Sequence, residues 1–253
     1  MSNKEGRYIY GITAATHKQE LGPIGIGGRG DIVYKLPYQD IAAIVSRSPI
    51  VSYPVSRENA IAHAKVLEKA GEEGTVLPVH FCTIADSEEN IVEEVLKPRY
   101  QEFIELLRKM EGKVELGVRA RWTDLNAIFG EVVEENETIK SLKKALLSEK
   151  DVQKKYAGTI KVGQMVHEEL EKKRKREAEE LIKTLAPLSL SWKENQVYGD
   201  MNLVNAAFLV AREEERDFDQ KVLDLEKAYE GREHLKYVSS SVPYNFVEIV
   251  IHL

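Results

Sequence analysis

Three runs near the start of the chain are β-branched and aromatic: Tyr8-Ile-Tyr-Gly-Ile12, Ile32-Val-Tyr-Lys-Leu36 and Ile41-Ala-Ala-Ile-Val45. Glycine and proline punctuate them, which predicts short strands. Ser56 then sits where it can cap a helix, with Ile61, Ala64 and Leu67 at helical spacing and Gly71 at its end. A buried strand, Val76 to Phe81, follows. Ser87 caps another predicted helix, with Glu88 and Glu89 in the first turn where the dipole favours anions. Pro98 breaks or kinks it. Tyr100, Phe103, Leu107 and Met110 resume the same period until Gly112.

The next segment is the clearest strand in the chain. Val114, Leu116, Val118, Ala120 and Trp122 alternate with Glu115, Gly117, Arg119 and Arg121, so one face is apolar and the other mostly polar. A helical stretch over about 124–185 is expected to break near Gly130, Ser148 and Gly158. Strands are predicted at Leu188–Glu194, with Leu188, Leu190 and Trp192 on one face, and at Leu203–Ala211. Phe218, Val222, Leu225 and Tyr229 then mark an amphipathic helix. Strands at Leu235–Ser239 and Phe246–Ile251 close the chain. From Lys113 onward this is the ferredoxin-like order with extra helices after its first strand. The fold class is therefore α+β, with an N-terminal part over 1–111 and a second part over 112–253. No internal repeat is visible.

The C-terminal segment reads as an extended tail. Pro243 fixes its own φ and biases Val242 toward extended geometry. A strand would put Tyr244 and Phe246 on one face, and it would line up Val247, Ile249, Ile251 and Leu253 into one apolar row. Left exposed, such a row invites aggregation, so it should dock on its own sheet or between the two parts.

Composition narrows the function. Hydrophobic residues make up 43% of the 253 positions, enough for a core, and charged residues 31%, which points to long solvated helices. A net charge of −6 argues against a general nucleic-acid binder. The single cysteine, Cys82, excludes an internal disulfide and suits a reducing compartment. The polar start has no apolar signal-peptide core, and no run nears the ~18 apolar residues of a membrane helix, so the expected location is cytosolic.

Candidate chemistry is sparse. Gly25-Ile-Gly-Gly-Arg-Gly30 spells G-x-G-x-x-G, yet a polar loop (His17 to Gly22) precedes it and a strand follows it, where a dinucleotide fold needs a strand before and a helix after, so it reads as a flexible connection. His80 and Cys82 would share a strand face roughly 6.5–7 Å apart, too far for a nucleophile–base hydrogen bond. Cys82 reads as a small buried side chain. The histidines show no zinc spacing, and the paired glutamates lie on charged helices. No catalytic, cofactor-binding or metal-binding residue is assigned. Lys172-Lys-Arg-Lys-Arg176 is the one basic cluster. Between Glu171 and Glu177 no residue is apolar, which predicts a solvated, projecting helix with i,i+4 pairs such as Glu169–Lys173 and Glu171–Lys175. Arg174 and Arg176 are candidate contacts for an acidic partner, and Tyr244 and Phe246 are the other candidates. RNA is disfavoured, because the sheet lacks a basic-glycine motif flanked by aromatics.

Several of these segments together resemble the F/L family of gas vesicle accessory proteins. They are Tyr8–Ile12, Leu77-Pro-Val-His-Phe-Cys-Thr-Ile84, Val114–Trp122, Asn205-Ala-Ala-Phe-Leu-Val210 and Pro243-Tyr-Asn-Phe-Val247, in the family's order and spanning nearly the whole chain. One departure is Ser239-Ser-Ser-Val-Pro243, where the family commonly has a glycine- and proline-rich turn. The resemblance implies a first domain of unusual α+β topology and a modified ferredoxin-like second domain with inserted helices. It also implies a role in forming gas vesicles through contact with the major shell protein and other accessory proteins, as a transient helper or as a minor component of the finished vesicle, without catalysis or a cofactor. Nucleic acid and membrane are not expected partners on the charge and hydropathy grounds above. A generic cytosolic adaptor is the alternative.

Overall fold

The computed structural model describes residues 4–240 and 242–253. Contacts divide the chain into two compact units. One takes in the chain up to Leu116, Leu209–Glu213 and the chain from Ser239 onward; the other holds Gly117–Phe208 and Glu214–Val238. The last two segments of the first unit lie beyond the Gly112 boundary that the sequence suggested.

The first unit is built on a five-stranded sheet in the order β2-β3-β4-β1-β5. Its strands are β1 (Glu5–Ala14), β2 (Gln19–Gly22), β3 (Val33–Tyr38), β4 (Ile41–Pro49) and β5 (Val76–Ala85), each neighbouring pair antiparallel. Residues 8–12 of β1 and 41–45 of β4 are apolar and buried because both faces of the sheet are covered there. One face meets α1 (Arg57–Gly71) through Tyr8, Tyr10, Ile44, Val66 and Leu67. The other packs Ile9, Ile12 and Val45 against Phe103 and Leu107 of α3 (Tyr100–Met110). Gly11, at the β1 bulge, is required: a Cβ there would lie 2.7 Å from the Leu77 carbonyl oxygen.

Local signals placed the helices well. Ser56 accepts the Asn59 N–H and starts α1; Ser87 accepts the Asn90 N–H and starts α2 (Glu88–Asn90). α2 runs into a π turn, Ile91–Leu96, closed by Lys97 N–H to the Val92 carbonyl just before Pro98. The buried face of α1 differs from the predicted one. Val66, Leu67 and Ala70 point inward with His63, while Ile61 is exposed. His63 bonds the Tyr8 hydroxyl at 3.0 Å, and burial, helped by the charge of His80, holds its pKa down to about 4.

Three readings of this unit are corrected. The polar loop before Gly22 contains β2, an edge strand paired to β3. The Gly25–Gly30 connection is anchored rather than flexible, since Ile26 is fully buried and donates its N–H to the Tyr10 hydroxyl at 2.8 Å. Cys82 has φ 66°, which breaks the strand alternation; His80 is exposed, and the partly buried Cys82 sulfur accepts the Tyr53 N–H.

The second sheet has the order β7-β8-β6-β9, from β6 (Lys113–Trp122), β7 (Ser191–Glu194), β8 (Asn202–Ala211) and β9 (Glu233–Ser240). In chain order that is 2-3-1-4, the ferredoxin-like arrangement. Helices α4 (Leu125–Glu135), α5 (Glu137–Ser148) and α6 (Val152–Leu185) are inserted after its first strand, and α7 (Glu215–Ala228) precedes its last. Trp122, Phe208 and Phe218 are buried at its core. The inserted helices do not break at their glycines. They break where Asn136 and Asp151 cap the following helices with side-chain oxygens, the second of these next to the expected Ser148 break. Gly130 and Gly158 lie inside helices, and Gly158 lets Leu146 of α5 approach closely. β7 is shorter than predicted and exposed along its length, and Leu188 belongs to a 3₁₀ turn.

Candidate functional site

The C-terminal tail lies within the first unit. It is not a continuous strand. The Pro243 carbonyl accepts N–H groups from Phe246 (3.1 Å) and Val247 (3.0 Å), so residues 243–247 form a tight turn. Tyr244 and Phe246 therefore do not share a strand face. The turn is held by Glu115, whose two oxygens accept the Asn245 backbone N–H at 2.7 Å and its side-chain Nδ2 at 2.6 Å. Glu115 stands on the polar side of the β6 alternation, yet it is buried. Beyond the turn, Val247 and Ile249 enter the core beside β5. Ile249 forms a parallel bridge to Val79, and its carbonyl accepts the His80 N–H at 3.0 Å. Arg99 donates to the Val250 carbonyl at 2.9 Å. The tail is thus fixed at three points.

This anchoring presents the two tail aromatics differently. Phe246 is half-buried against the core around Val247 and Ile249. Tyr244 is 37% exposed. Burial of its hydroxyl, with the charges of Glu68 and Glu115 nearby, pushes its pKa well above the usual phenol range, so it stays neutral.

The basic cluster lies on α6 in the second unit, and its middle is not solvated. The Lys173 side chain is only 5% exposed, with Nζ 2.7 Å from Glu135, 3.0 Å from Glu131 and 3.8 Å from Glu177. Glu177 also accepts Trp122 Nε1 at 2.7 Å and Arg232 at 2.7 Å, and Arg232 bridges to Glu131 as well. Burial opposes the charge on Lys173, but Glu135 and Glu131 outweigh it and hold its pKa above the ordinary lysine value. Arg232 holds Glu131 below the ordinary carboxylate range. A helix polar all round packs here because one polar side meets opposite charge. Glu169 and Glu171 pair at i,i+3, with Lys172 and Arg174, in place of the two expected i,i+4 pairs. Arg174 is partly covered by its pair. Arg176 is the exposed member, with only a 4.0 Å contact to Glu135.

The four sequence-predicted contacts are divided between the two units. Tyr244 and Phe246 lie in the tail turn of the first unit, and Arg174 and Arg176 lie on α6 of the second. Sequence reasoning missed Glu115 and Asn245, which set the turn. Asn245 is a residue type that favours turns, but nothing local pairs it with a glutamate on β6.

The family model for gas vesicle synthesis protein GvpL/GvpF matches residues 6–248. The chain belongs to that family. Gas vesicle protein F of a Nostoc species is 27% identical over 251 residues, covering 96% of this chain and 98% of the relative. Gas vesicle protein F of a Streptomyces species is 28% identical, covering 95% and 99%, and gas vesicle protein F1 of Halobacterium salinarum is 26% identical, covering 98% and 95%. The crystal structure of GvpF from Anabaena superposes with a TM-score of 0.80 at 26% identity, covering 99% of this chain and 100% of that one. GvpF from Microcystis aeruginosa matches in fold, with a TM-score of 0.75 at 24% identity over 95% of this chain and 98% of that one. Membership of the GvpL/GvpF family supports an accessory role in making gas vesicles. Among the described residues no helix is long and apolar enough to cross a membrane.

Proposed function

We propose that this chain binds the major shell protein and other accessory proteins while gas vesicles nucleate and grow, working in the cytoplasm at the vesicle surface. The role is one of binding, with no catalytic step, cofactor or nucleic acid. A shell subunit with a strongly apolar face would aggregate before it reached the growing shell. An acidic helper protein can shield such a face and release it in order. Family membership carries the gas vesicle part of this reading.

The observation that supports a contact site is Tyr244. An aromatic ring held partly exposed on a turn fixed by Glu115 loses little freedom on binding, and such residues dominate interfaces. Arg176, exposed on α6, is the second proposed contact. Phe246 and Arg174 are flanking contacts that also serve packing and pairing.

Capture of purified shell protein by the immobilised chain tests this. Tyr244→Ala is expected to keep its melting temperature and reduce capture several-fold, and Arg176→Glu to reduce it less. Phe246→Ala should lower the melting temperature first, because it removes core contacts. If the wild-type chain captures no shell protein, the shell-binding reading fails. If all the variants capture normally, the assigned residues are wrong.

A further inference from the structure

The helical hairpin made by α5 and the first half of α6 carries a surface that the fold does not use. On α6, Val152 is 81% exposed, Tyr156 71% and Ile160 46%. Their four-residue spacing places them in one stripe along the helix. Val152 and Leu170 lie 18 residues apart, about five turns at ~3.6 residues per turn, and Leu170 is buried. The stripe is therefore the continuation of a face that packs into the unit further along. Helix α5 meets α6 on another side, where Leu146 approaches Gly158. Leu147, next to the turn between the two helices, is exposed as well.

The charge around this stripe is opposite to that of the chain. Residues 137–161 hold seven lysines against Glu137, Glu149 and Asp151, a net of +4 in a chain of net charge −6. All seven lysines are exposed. Lys140 pairs with Glu134. Among the described residues Lys143, Lys144, Lys150, Lys154, Lys155 and Lys161 form no ion pair, whereas Lys172, Lys173 and Arg174 further along α6 all do.

We infer that this hairpin face docks an acidic amphipathic helix of a partner protein. The partner's apolar ridge lies along Val152, Tyr156 and Ile160, with Tyr156 as its aromatic anchor, and its carboxylates face the lysines. The stripe is narrower than the ~100° apolar face of a helix that lies on a core, and its width suits a helix–helix seam. A helix lying in a lipid interface needs a broader apolar face. This inference uses none of the tail or Arg176 contacts and does not depend on the shell protein being the partner.

The test uses the full chain and a fluorescein-labelled probe peptide of about 21 residues, built from Leu, Ala and Glu with its leucines at seam spacing. Fluorescence anisotropy should show saturable binding that weakens about tenfold between about 0.05 M and about 0.5 M salt. Tyr156→Asp with Ile160→Asp should weaken it at least about tenfold, and so should Lys154→Glu with Lys155→Glu. All four positions are exposed, so both variants should melt as the wild type does, and the second pair remains informative should the first unfold. The inference is overturned if a peptide of the same composition with scattered leucines, or one with lysine for glutamate, binds as well. It is also overturned if both variants bind normally. Capture of phosphatidylserine vesicles through these residues without peptide binding would assign the face to a membrane. Concentration-dependent self-association abolished by Tyr156→Asp with Ile160→Asp, again without peptide binding, would assign it to a second copy of the chain.

Discussion

Replacing Asn245 with alanine should loosen the C-terminal tail while leaving the sheet beneath it intact. Asn245 gives Glu115 two hydrogen bonds, one from its backbone N–H and one from Nδ2. Alanine keeps the first and deletes the second. Losing a hydrogen bond to a charged, buried acceptor costs about 1.5–3 kcal/mol, and we expect about 2 kcal/mol here. Glu115→Gln attacks the same contact from the other side. A glutamine has one acceptor oxygen, so its NH₂ must face one of the two Asn245 donors, at a cost of about 2–3 kcal/mol. In a double-mutant cycle the two changes should couple by about 1–2 kcal/mol, because each removes what the other needs. The assay is native-state hydrogen exchange at the His80 amide, which is bonded to the Ile249 carbonyl and so reports release of the tail. A loss of about 2 kcal/mol should speed its exchange roughly thirtyfold, since 1.36 kcal/mol is about tenfold. If His80 exchanges within about twofold of wild type in Asn245→Ala, and the cycle shows coupling below about 0.5 kcal/mol, the latch is not what holds the tail. Burial of Val247 and Ile249 would then be enough.

Two further expectations concern the charged interior of the second unit. Glu233 is buried, with an Oε2 that has no hydrogen-bond partner among the described residues, and burial together with the charge of Glu177 raises its pKa to about 7. Its folded pKa lies above its unfolded one, so the folded state holds the extra proton between about pH 4.5 and about pH 7, and stability should fall by up to about 3 kcal/mol as pH rises through that window. Glu233→Gln should abolish that slope in urea denaturation series and be the more stable form at about pH 8; an unchanged slope would refute the assignment. Lys173→Met should cost about 2–4 kcal/mol by leaving Glu131, Glu135 and Glu177 without their shared cation, the partly exposed carboxylates keeping this near the low end of buried-pair losses. Arg176→Glu, on the same helix but exposed, should stay within about 0.5 kcal/mol, and equal losses at the two positions would mean that the network does not stabilise the fold.

The sequence alone determined what depends on neighbours within a turn or two. The alternation from Val114 to Trp122 identified β6, because a pleated strand sends successive side chains to opposite faces whatever surrounds it. Ser56 and Ser87 started their helices because a cap needs only a side-chain oxygen and an N–H three residues on. The ferredoxin-like order followed from the succession of such elements. The family was legible in the same way, from segments in order.

Other features were decided by partners distant in the chain. The polar face of β6 reads as solvated, yet Glu115 is buried by a contact 130 residues away. Lys173 sits in a run with no apolar residue and is buried by a glutamate 38 residues earlier on α4. Asn136 and Asp151, not the nearby glycines, ended α4 and opened α6, because an interior glycine costs only about 1 kcal/mol, which helix packing such as Leu146 on Gly158 offsets. The tail reads as a strand, but accepting Asn245 at Glu115 bends it into a turn, and its pairing with β5 is the single bridge Val79–Ile249 among the described residues. The reason is common to these cases. A polar group is buried only where its hydrogen bonds or opposite charge are supplied, and which segment supplies them is settled by the tertiary fold and not by local sequence.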